Sequence, residues 1–192
     1  MKKFLNIFLF IVLAFPSFVF AHEVEGAGGF LSGFNHPVLG FDHLLAMLSV
    51  GILSAQMGGK AIWKVPATFV VVMLIGGVFG INGINFISVE LGIMCSVLIL
   101  GIVIAADKKI PTFIAMLVVG FFAIFHGHAH GTEMPYLAEP LLYALGFVTG
   151  TAMIHIAGVM IGLSSSKFND GQQLLKLLGA GIAGIGFHML VM

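Results

Sequence analysis

Two short segments of the sequence, at residues 36–43 and 126–133, carry side chains that could bind a transition metal. The first reads His-Pro-Val-Leu-Gly-Phe-Asp-His and the second reads His-Gly-His-Ala-His-Gly-Thr-Glu. Imidazole is the commonest metal ligand among protein side chains. Imidazole and carboxylate groups without a nearby thiolate suit a borderline divalent ion such as Ni²⁺, Co²⁺ or Zn²⁺. The candidate metal ligands are therefore His36, Asp42, His43, His126, His128, His130 and Glu133.

Helical spacing predicts how the first segment presents its ligands. Pro37 suits the first position of a helix. His36 and His43 are seven residues apart, so a single helix would place them on one face, with Asp42 at the same depth. An ionised Asp near the membrane interior costs about 2.5–3.5 kcal/mol and should face a partner or a wet cavity. The alternative is an Asp that caps the helix at the membrane interface.

The second segment also fits a helix. His126, His130 and Glu133 follow the spacing i, i+4, i+7 and would share one face. Gly127 and Gly131 could instead open the end of the helix, so that all three imidazole rings turn inward. A solvated histidine-rich loop is the alternative, but this segment ends a long apolar run instead of lying in a tail.

Three further residues are weaker candidates for metal contact. Glu90 opens a predicted span and could either complete the metal site or cap its helix. His155 lies deep in another span, where an ionisable group suggests an ion pathway, although a neutral imidazole bonded to the helix backbone is the alternative. His22 would become the amino terminus after removal of a leader and could capture metal, whereas a frayed terminus is the simpler interpretation.

The composition places these segments in a membrane protein. Of the 192 residues, 59% are hydrophobic and 8% are charged, whereas soluble domains carry about 25% charged residues. A helix needs about 20 mainly apolar residues to cross the bilayer. Six such segments occur, at about 38–57, 64–82, 87–106, 110–128, 137–163 and 173–191. The sequence therefore predicts an all-α integral membrane protein with six transmembrane helices, surrounded by a lipid bilayer.

The first 21 residues have the layout of a secretory signal peptide. Lys2 and Lys3 precede an apolar stretch that Pro16 ends, and Ala21 is a small residue suited to the position before cleavage. We therefore expect a cleavable signal peptide at residues 1–21 and a single polytopic transmembrane domain at residues 22–192. An uncleaved first helix is the alternative and gives the same topology.

The lysines orient the predicted spans, because cytoplasmic loops are enriched in positive charge. All lysines after the leader fall in alternate loops or at their edges: Lys60, Lys64, Lys108, Lys109, Lys167 and Lys176. If these loops are cytoplasmic, both termini of the mature chain lie on the outer side. The two candidate metal segments then lie near the outer face.

A weak internal similarity suggests a repeat. Residues 45–51 (Leu-Ala-Met-Leu-Ser-Val-Gly) resemble residues 114–120 (Ile-Ala-Met-Leu-Val-Val-Gly), and the two segments lie three spans apart. The two segments would therefore run in opposite directions, as in the 3+3 inverted repeats of secondary transporters. Chance similarity between two apolar, glycine-containing helices is the alternative.

Charge and motifs exclude several functional classes. The chain has no basic excess, since eight lysines balance eight Asp and Glu residues, so no nucleic-acid partner is expected. Cys95 is the sole cysteine, which excludes a disulfide framework and a Cys-based zinc module. An intramembrane metalloenzyme would need a metal and a general acid or base, but no His-Glu-x-x-His string occurs. We therefore expect no enzymatic activity.

The leader, the histidine after it and the two metal segments together resemble the HupE/UreJ family of bacterial hydrogenase and urease accessory membrane proteins. The likeness rests on His36-Pro-x-x-Gly-x-Asp42-His43-x-Leu-x-Met47 and on His126-Gly-His-Ala-His130-Gly-x-Glu133. It implies a nickel permease of the inner membrane, with cobalt in some members, that supplies metalloenzyme maturation proteins. The divalent metal is then cargo, and no prosthetic group is expected. The alternative is a metal-binding assembly factor that does not transport.

Overall fold

The computed structural model describes residues 29–192 except residue 137, and these residues form seven helices. The helices are α1 (Gly29–Leu39), α2 (Phe41–Met57), α3 (Ala61–Ile81), α4 (Val89–Ala106), α5 (Thr112–Thr132), α6 (Pro140–Ser165) and α7 (Gly171–Val191). No strand occurs in this part of the chain, which confirms the predicted all-helical fold. The predicted leader and His22 lie outside the described residues.

Five of these helices, α3 to α7, are each long and apolar enough to cross a membrane. Helices α1 and α2 pass the same test only together, as one span that bends by 80°. Large apolar side chains such as Val71, Phe121 and Leu177 are exposed on the bundle surface, as expected for helices that face lipid. A multi-pass membrane protein is therefore confirmed, with five spans or six if the bent pair is one.

The bend between α1 and α2 lies at Gly40, which has an extended backbone conformation and caps the start of α2. His36 therefore belongs to the last turn of α1, and His43 belongs to the first turn of α2. The prediction that one helix carries both histidines on one face is wrong, and Pro37 lies inside α1, not at its first position. The break lets two helix ends present side chains to a common point.

Helices α3 and α5 approach closely through glycines. A Cβ atom on Gly127 would overlap the carbonyl oxygen of Met73, and one on Gly131 would overlap that of Gly77. Small residues of this kind let the backbones of membrane helices pack together. Because α5 stays helical through Thr132, the alternative that Gly127 and Gly131 open its end is wrong. These glycines instead fix the position of α5 against α3.

The other close pairs use the same device. Helix α6 packs against α1 and also against α2. At the contact with α2, Gly51 packs directly against the backbone of Gly158. Helices α4 and α7 meet around Gly101 and Gly179. The side chain of Lys176 in α7 lies 3.3 Å from Asp107, which follows the last residue of α4. The backbone contacts fix the helices at close range, so side chains on different helices can meet inside the bundle.

The two ends of the bundle differ in composition. Helix α2 begins, and α5 ends, at the end that holds the two candidate metal segments, which we call the histidine end. Lysines occur at the opposite end, before α3, between α4 and α5, and between α6 and α7, which we call the lysine end. The predicted separation of the candidate metal ligands from the lysines is therefore present in the fold.

Candidate metal-binding site

Four imidazole rings from three helices form a cluster at the break of the bent span. The ring centroid of His36 lies 4.8 Å from that of His130 and 6.1 Å from that of His43. The ring of His43 lies 4.9 Å from His130 and 4.9 Å from His126. We call these four residues the histidine cluster. The two candidate metal segments of the sequence therefore contact each other in the fold.

Two carboxylates hold rings of the cluster. Oδ1 of Asp42 lies 2.9 Å from Nδ1 of His43 and also accepts the backbone N–H of His43 at 2.8 Å. Oε2 of Glu133, the residue that caps the end of α5, lies 2.8 Å from Nε2 of His36. The hydrogen bond from His36 lowers the pKa of Glu133 below its usual value. Glu133 is therefore a stable negative charge beside the cluster.

The hydrogen bonds also determine which nitrogens carry lone pairs. An ionised carboxylate only accepts, so Nδ1 of His43 carries the proton and Nε2 has the lone pair. The hydroxyl of Ser96 donates to the carbonyl of Ile93 at 2.6 Å, so it accepts from Nε2 of His126 at 3.0 Å. The lone pair of His126 therefore lies on Nδ1. A neutral imidazole with a free lone pair is the form that binds metal.

Several of these nitrogens are buried without a hydrogen-bond partner among the described residues. They are Nε2 of His43, Nδ1 of His126 and both ring nitrogens of His130. Buried polar atoms are nearly always paired, so a group of unpaired nitrogens calls for an explanation. A metal ion that accepts lone pairs from imidazole would provide one, and the donor set therefore fits a borderline divalent cation.

The rings are not yet arranged as a coordination shell. Within the described part of the chain, no three His, Cys, Asp or Glu side chains are placed to hold one metal ion. The rings of the cluster pack tilted or edge to face, with angles of 57°, 73° and 85° between their planes. Donor atoms are gathered within a small volume, and metal binding requires rings to turn toward a common centre.

Comparison with known proteins shows the family to which the chain belongs. Residues 10–189 match the family described as "HupE / UreJ protein". The chain belongs to the HupE/UreJ family. "Protein HupE" of Rhizobium leguminosarum bv. viciae is 45% identical over 180 residues, which cover 93% of each chain. No solved structure matches the chain. The family comprises accessory proteins of hydrogenase and urease, both linked to nickel, and the resemblance stated from the two motifs is confirmed.

One residue of the histidine-rich segment of this HupE/UreJ protein lies outside the cluster. Nε2 of His128 lies 2.7 Å from the carbonyl oxygen of Ile84, and its ring stacks on Phe86 at 4.7 Å. Residues two apart on a helix point to different sides, so His128 faces the α3–α4 connection while His126 and His130 face the cluster. The structure therefore does not bring His128 together with the four histidines of the cluster.

The weaker candidates are also placed apart from the cluster. Glu90 is exposed in the first turn of α4. His155 lies further along α6, away from the cluster. The ring of Phe69 contacts both the ring of His155 and the ring of His126. His22, which was proposed to capture metal, lies outside the described residues.

Three residues that line the cluster of this HupE/UreJ protein were not singled out in the sequence. Ser96 bonds His126, Phe147 stacks on His130 at 5.2 Å, and the ring of Tyr143 lies 6.3 Å from His36. The hydroxyl of Tyr143 is buried and has no hydrogen-bond partner among the described residues. Ser96 and Tyr143 are polar groups inside apolar spans, and that signal could have indicated them.

Proposed function

We propose that this HupE/UreJ protein is a secondary transporter that imports a divalent transition metal for metalloenzyme maturation. Nickel is the proposed cargo, with cobalt as a second one. The observation that carries this proposal is the histidine cluster at the break of the bent span, with its unpaired ring nitrogens. The accessory role of the family in hydrogenase and urease assembly supports a metal of this class.

The position of the cluster suits a transporter. Secondary transporters commonly bind their substrate where a transmembrane helix is interrupted, because the interruption frees side chains and backbone to contact the ion. Here His36 and His43 lie on either side of Gly40, and His130 approaches from another helix. A relative movement of α1 and α2 would therefore change the distances between ligands that lie on different helices.

The chemistry of the cluster suits a dication that binds and leaves. Neutral imidazoles supply lone pairs, and Asp42 and Glu133 supply the negative charge that offsets the charge of the ion. Both carboxylates are hydrogen-bonded to histidine rings. Their negative charges therefore lie beside the cluster before the ion binds. Softer thiolate ligands, which would trap such an ion, do not occur in the cluster, and this favours release.

The proposed topology follows from the lysine end. We place that end in the cytoplasm, since positive charge accumulates there, and the histidine end on the outer side of the bacterial inner membrane. Both termini of the mature chain are then outside. Removal of residues 1–21 as a signal peptide completes this topology, and intact mass spectrometry of the membrane-extracted protein tests it.

The helix pairing suits a 3+3 inverted repeat. Helix α3 packs on α5, α2 packs on α6, and α4 packs on α7. An inverted repeat would relate α2 to α5, α3 to α6, and α4 to α7. Under this relation the α3–α5 contact corresponds to the α2–α6 contact, and the α4–α7 contact corresponds to itself. We propose this relation as the internal symmetry of the transporter.

No prosthetic group and no enzymatic step are part of the proposal, and maturation proteins for hydrogenase or urease would receive the ion.

Uptake of radiolabelled Ni²⁺ into proteoliposomes tests the proposed function. Wild-type protein should accumulate nickel above empty vesicles, and unlabelled Co²⁺ should compete. The His130→Ala variant should lose uptake, whereas His188→Ala, an exposed histidine near the end of α7, should retain it. Binding of nickel without any uptake would instead support an accessory factor that does not transport, and the proposal would be wrong.

A further inference from the structure

A second buried histidine lies outside the cluster. His155 of α6 is 2% exposed, and neither of its ring nitrogens has a hydrogen-bond partner among the described residues. The alternative that its ring bonds the helix backbone is therefore not what the structure contains. A buried imidazole without partners costs free energy, because both nitrogens lose the hydrogen bonds that water would supply.

His155 lies deeper in the bundle than the cluster. Gly51 packs directly against the carbonyl oxygen of His155. Gly51 follows His43 by eight residues in α2, which corresponds to about 12 Å along the helix. The backbone of His155 therefore lies about 12 Å further toward the lysine end than the backbone of His43. The ring of Phe69 lies 5.1 Å from the ring of His155 and 5.4 Å from that of His126. One aromatic ring thus contacts both the cluster and the deeper histidine.

Two further donor atoms occur at this depth. Thr151 lies one turn before His155 on α6, and its hydroxyl lies 3.8 Å from the sulfur of Met73 in α3. Both residues have no exposed surface. His155 is also one of the residues that line an otherwise apolar groove of about 470 Å³ between α3 and α6. Thr151 and His155 share one face of α6 because they are four residues apart, and Thr151 contacts the sulfur of Met73, so nitrogen, hydroxyl oxygen and thioether sulfur occur on neighbouring turns between α3 and α6.

We propose that His155, with Thr151 and Met73, forms a second and weaker contact site for the divalent metal, deeper than the histidine cluster. Imidazole suits borderline ions such as nickel, and the thioether of Met73 is a softer and weaker donor to such an ion. No carboxylate lies among these three groups, so the site holds a dication weakly. Permeation requires such a site, because an ion bound tightly in the middle of its path would not leave. The role in permeation rests on the proposed function.

Cobalt spectroscopy tests the site directly. The variant His155→Cys, made in a Cys95→Ser background, places a single thiol at this position. Addition of Co²⁺ to the full-length protein in detergent should produce a thiolate-to-cobalt absorption in the near ultraviolet. The matched control Thr149→Cys, on the exposed face of the same helix, should show none. If His155→Cys does not fold, Thr151→Cys in the same background carries the same expectation.

Uptake measurements separate this inference from the proposed function. The His155→Gln variant should keep the nickel affinity of the cluster at equilibrium and take up nickel several-fold more slowly, because it lacks the imidazole of the deeper site. Absence of the cobalt band in a folded variant, or wild-type uptake by His155→Gln, would overturn the proposal. If wild-type protein shows no uptake but the cobalt band occurs, the deeper site exists and the transport proposal fails.

Discussion

Asp42 holds His43 through two hydrogen bonds to one carboxylate oxygen, from the backbone N–H at 2.8 Å and from ring Nδ1 at 2.9 Å. The pair joins consecutive residues at the start of α2, directly after the break at Gly40. Because the carboxylate fixes both the tautomer and the orientation of the ring, Nε2 keeps its lone pair inside the cluster. Asp42 therefore prepares a metal-binding nitrogen even before any ion arrives.

The first prediction concerns this carboxylate. An amide in Asp42→Asn removes the negative charge and can donate to Nδ1, so the tautomer of His43 is no longer fixed. We expect nickel affinity to fall by about 10- to 100-fold, as for other carboxylates that orient a metal-binding histidine. Glu139→Gln is the control, because Glu139 is an exposed cap of α6. Calorimetry on both purified variants checks this, and equal effects would contradict a special role for Asp42.

The second prediction separates the histidines of one segment. His130→Ala removes a ring that contacts His36 and His43, and we expect it to abolish most nickel binding at equilibrium. His128→Ala removes a bond to Ile84 and a stacking contact with Phe86. That variant should unfold at a lower temperature but keep the nickel affinity of the wild type. A loss of affinity in His128→Ala as large as in His130→Ala would contradict the position of His128 outside the cluster.

The third prediction is a pH dependence. Free imidazole has a pKa of about 6.5, and a histidine must be neutral to bind metal. Nickel affinity in detergent, without any gradient, should therefore fall as the pH is lowered from about 7.5 to about 5.5, because protonation of a ligating ring competes with the ion. The lowered pKa of Glu133 keeps that carboxylate ionised throughout this range, so it does not cause the fall. Affinity that stays constant would mean that histidines are not the ligands.

The fourth prediction tests the glycine contact that positions α5. In Gly127→Ala, the new methyl group would overlap the carbonyl oxygen of Met73. We expect a loss of about 1–3 kcal/mol in stability, the usual cost of overpacking, and weaker nickel binding because His126 and His130 move with the helix. Gly181→Ala is the control, since open space surrounds that position. Thermal unfolding of the two variants, measured under the same conditions, checks this prediction. Equal melting temperatures would contradict the role of Gly127 in packing α5 against α3.

Much of the fold follows from local sequence patterns. The apolar runs predicted the main helices, because a span of about 20 apolar residues has few alternatives in a membrane. The spacing of His126, His130 and Glu133 placed them on one face, and the structure agrees. Such predictions need only the period of one helix and no knowledge of its neighbours.

The remaining features depend on contacts between distant parts of the chain. A single extended residue at Gly40, three residues after Pro37, changes the direction of the first span, but the apolar residues on both sides of it favour one continuous span. The contact of Ser96 with His126 joins residues 30 positions apart, and the ring of Phe69 meets two histidines only because α3 packs against both α5 and α6. Side-chain rotamers and helix packing determine these relations, and neither has a local signature.

X-ray absorption at the nickel edge, on the full-length protein loaded with one equivalent of Ni²⁺, tests the central claim most directly. The account predicts a nickel shell that contains several imidazole ligands, recognised by their multiple-scattering signal, and loss of this signal in a His43→Ala/His130→Ala double variant. His188→Ala should leave the spectrum unchanged. A shell of oxygen atoms without imidazole, or the same spectrum in the double variant, would contradict the assignment of the histidine cluster as the metal-binding site.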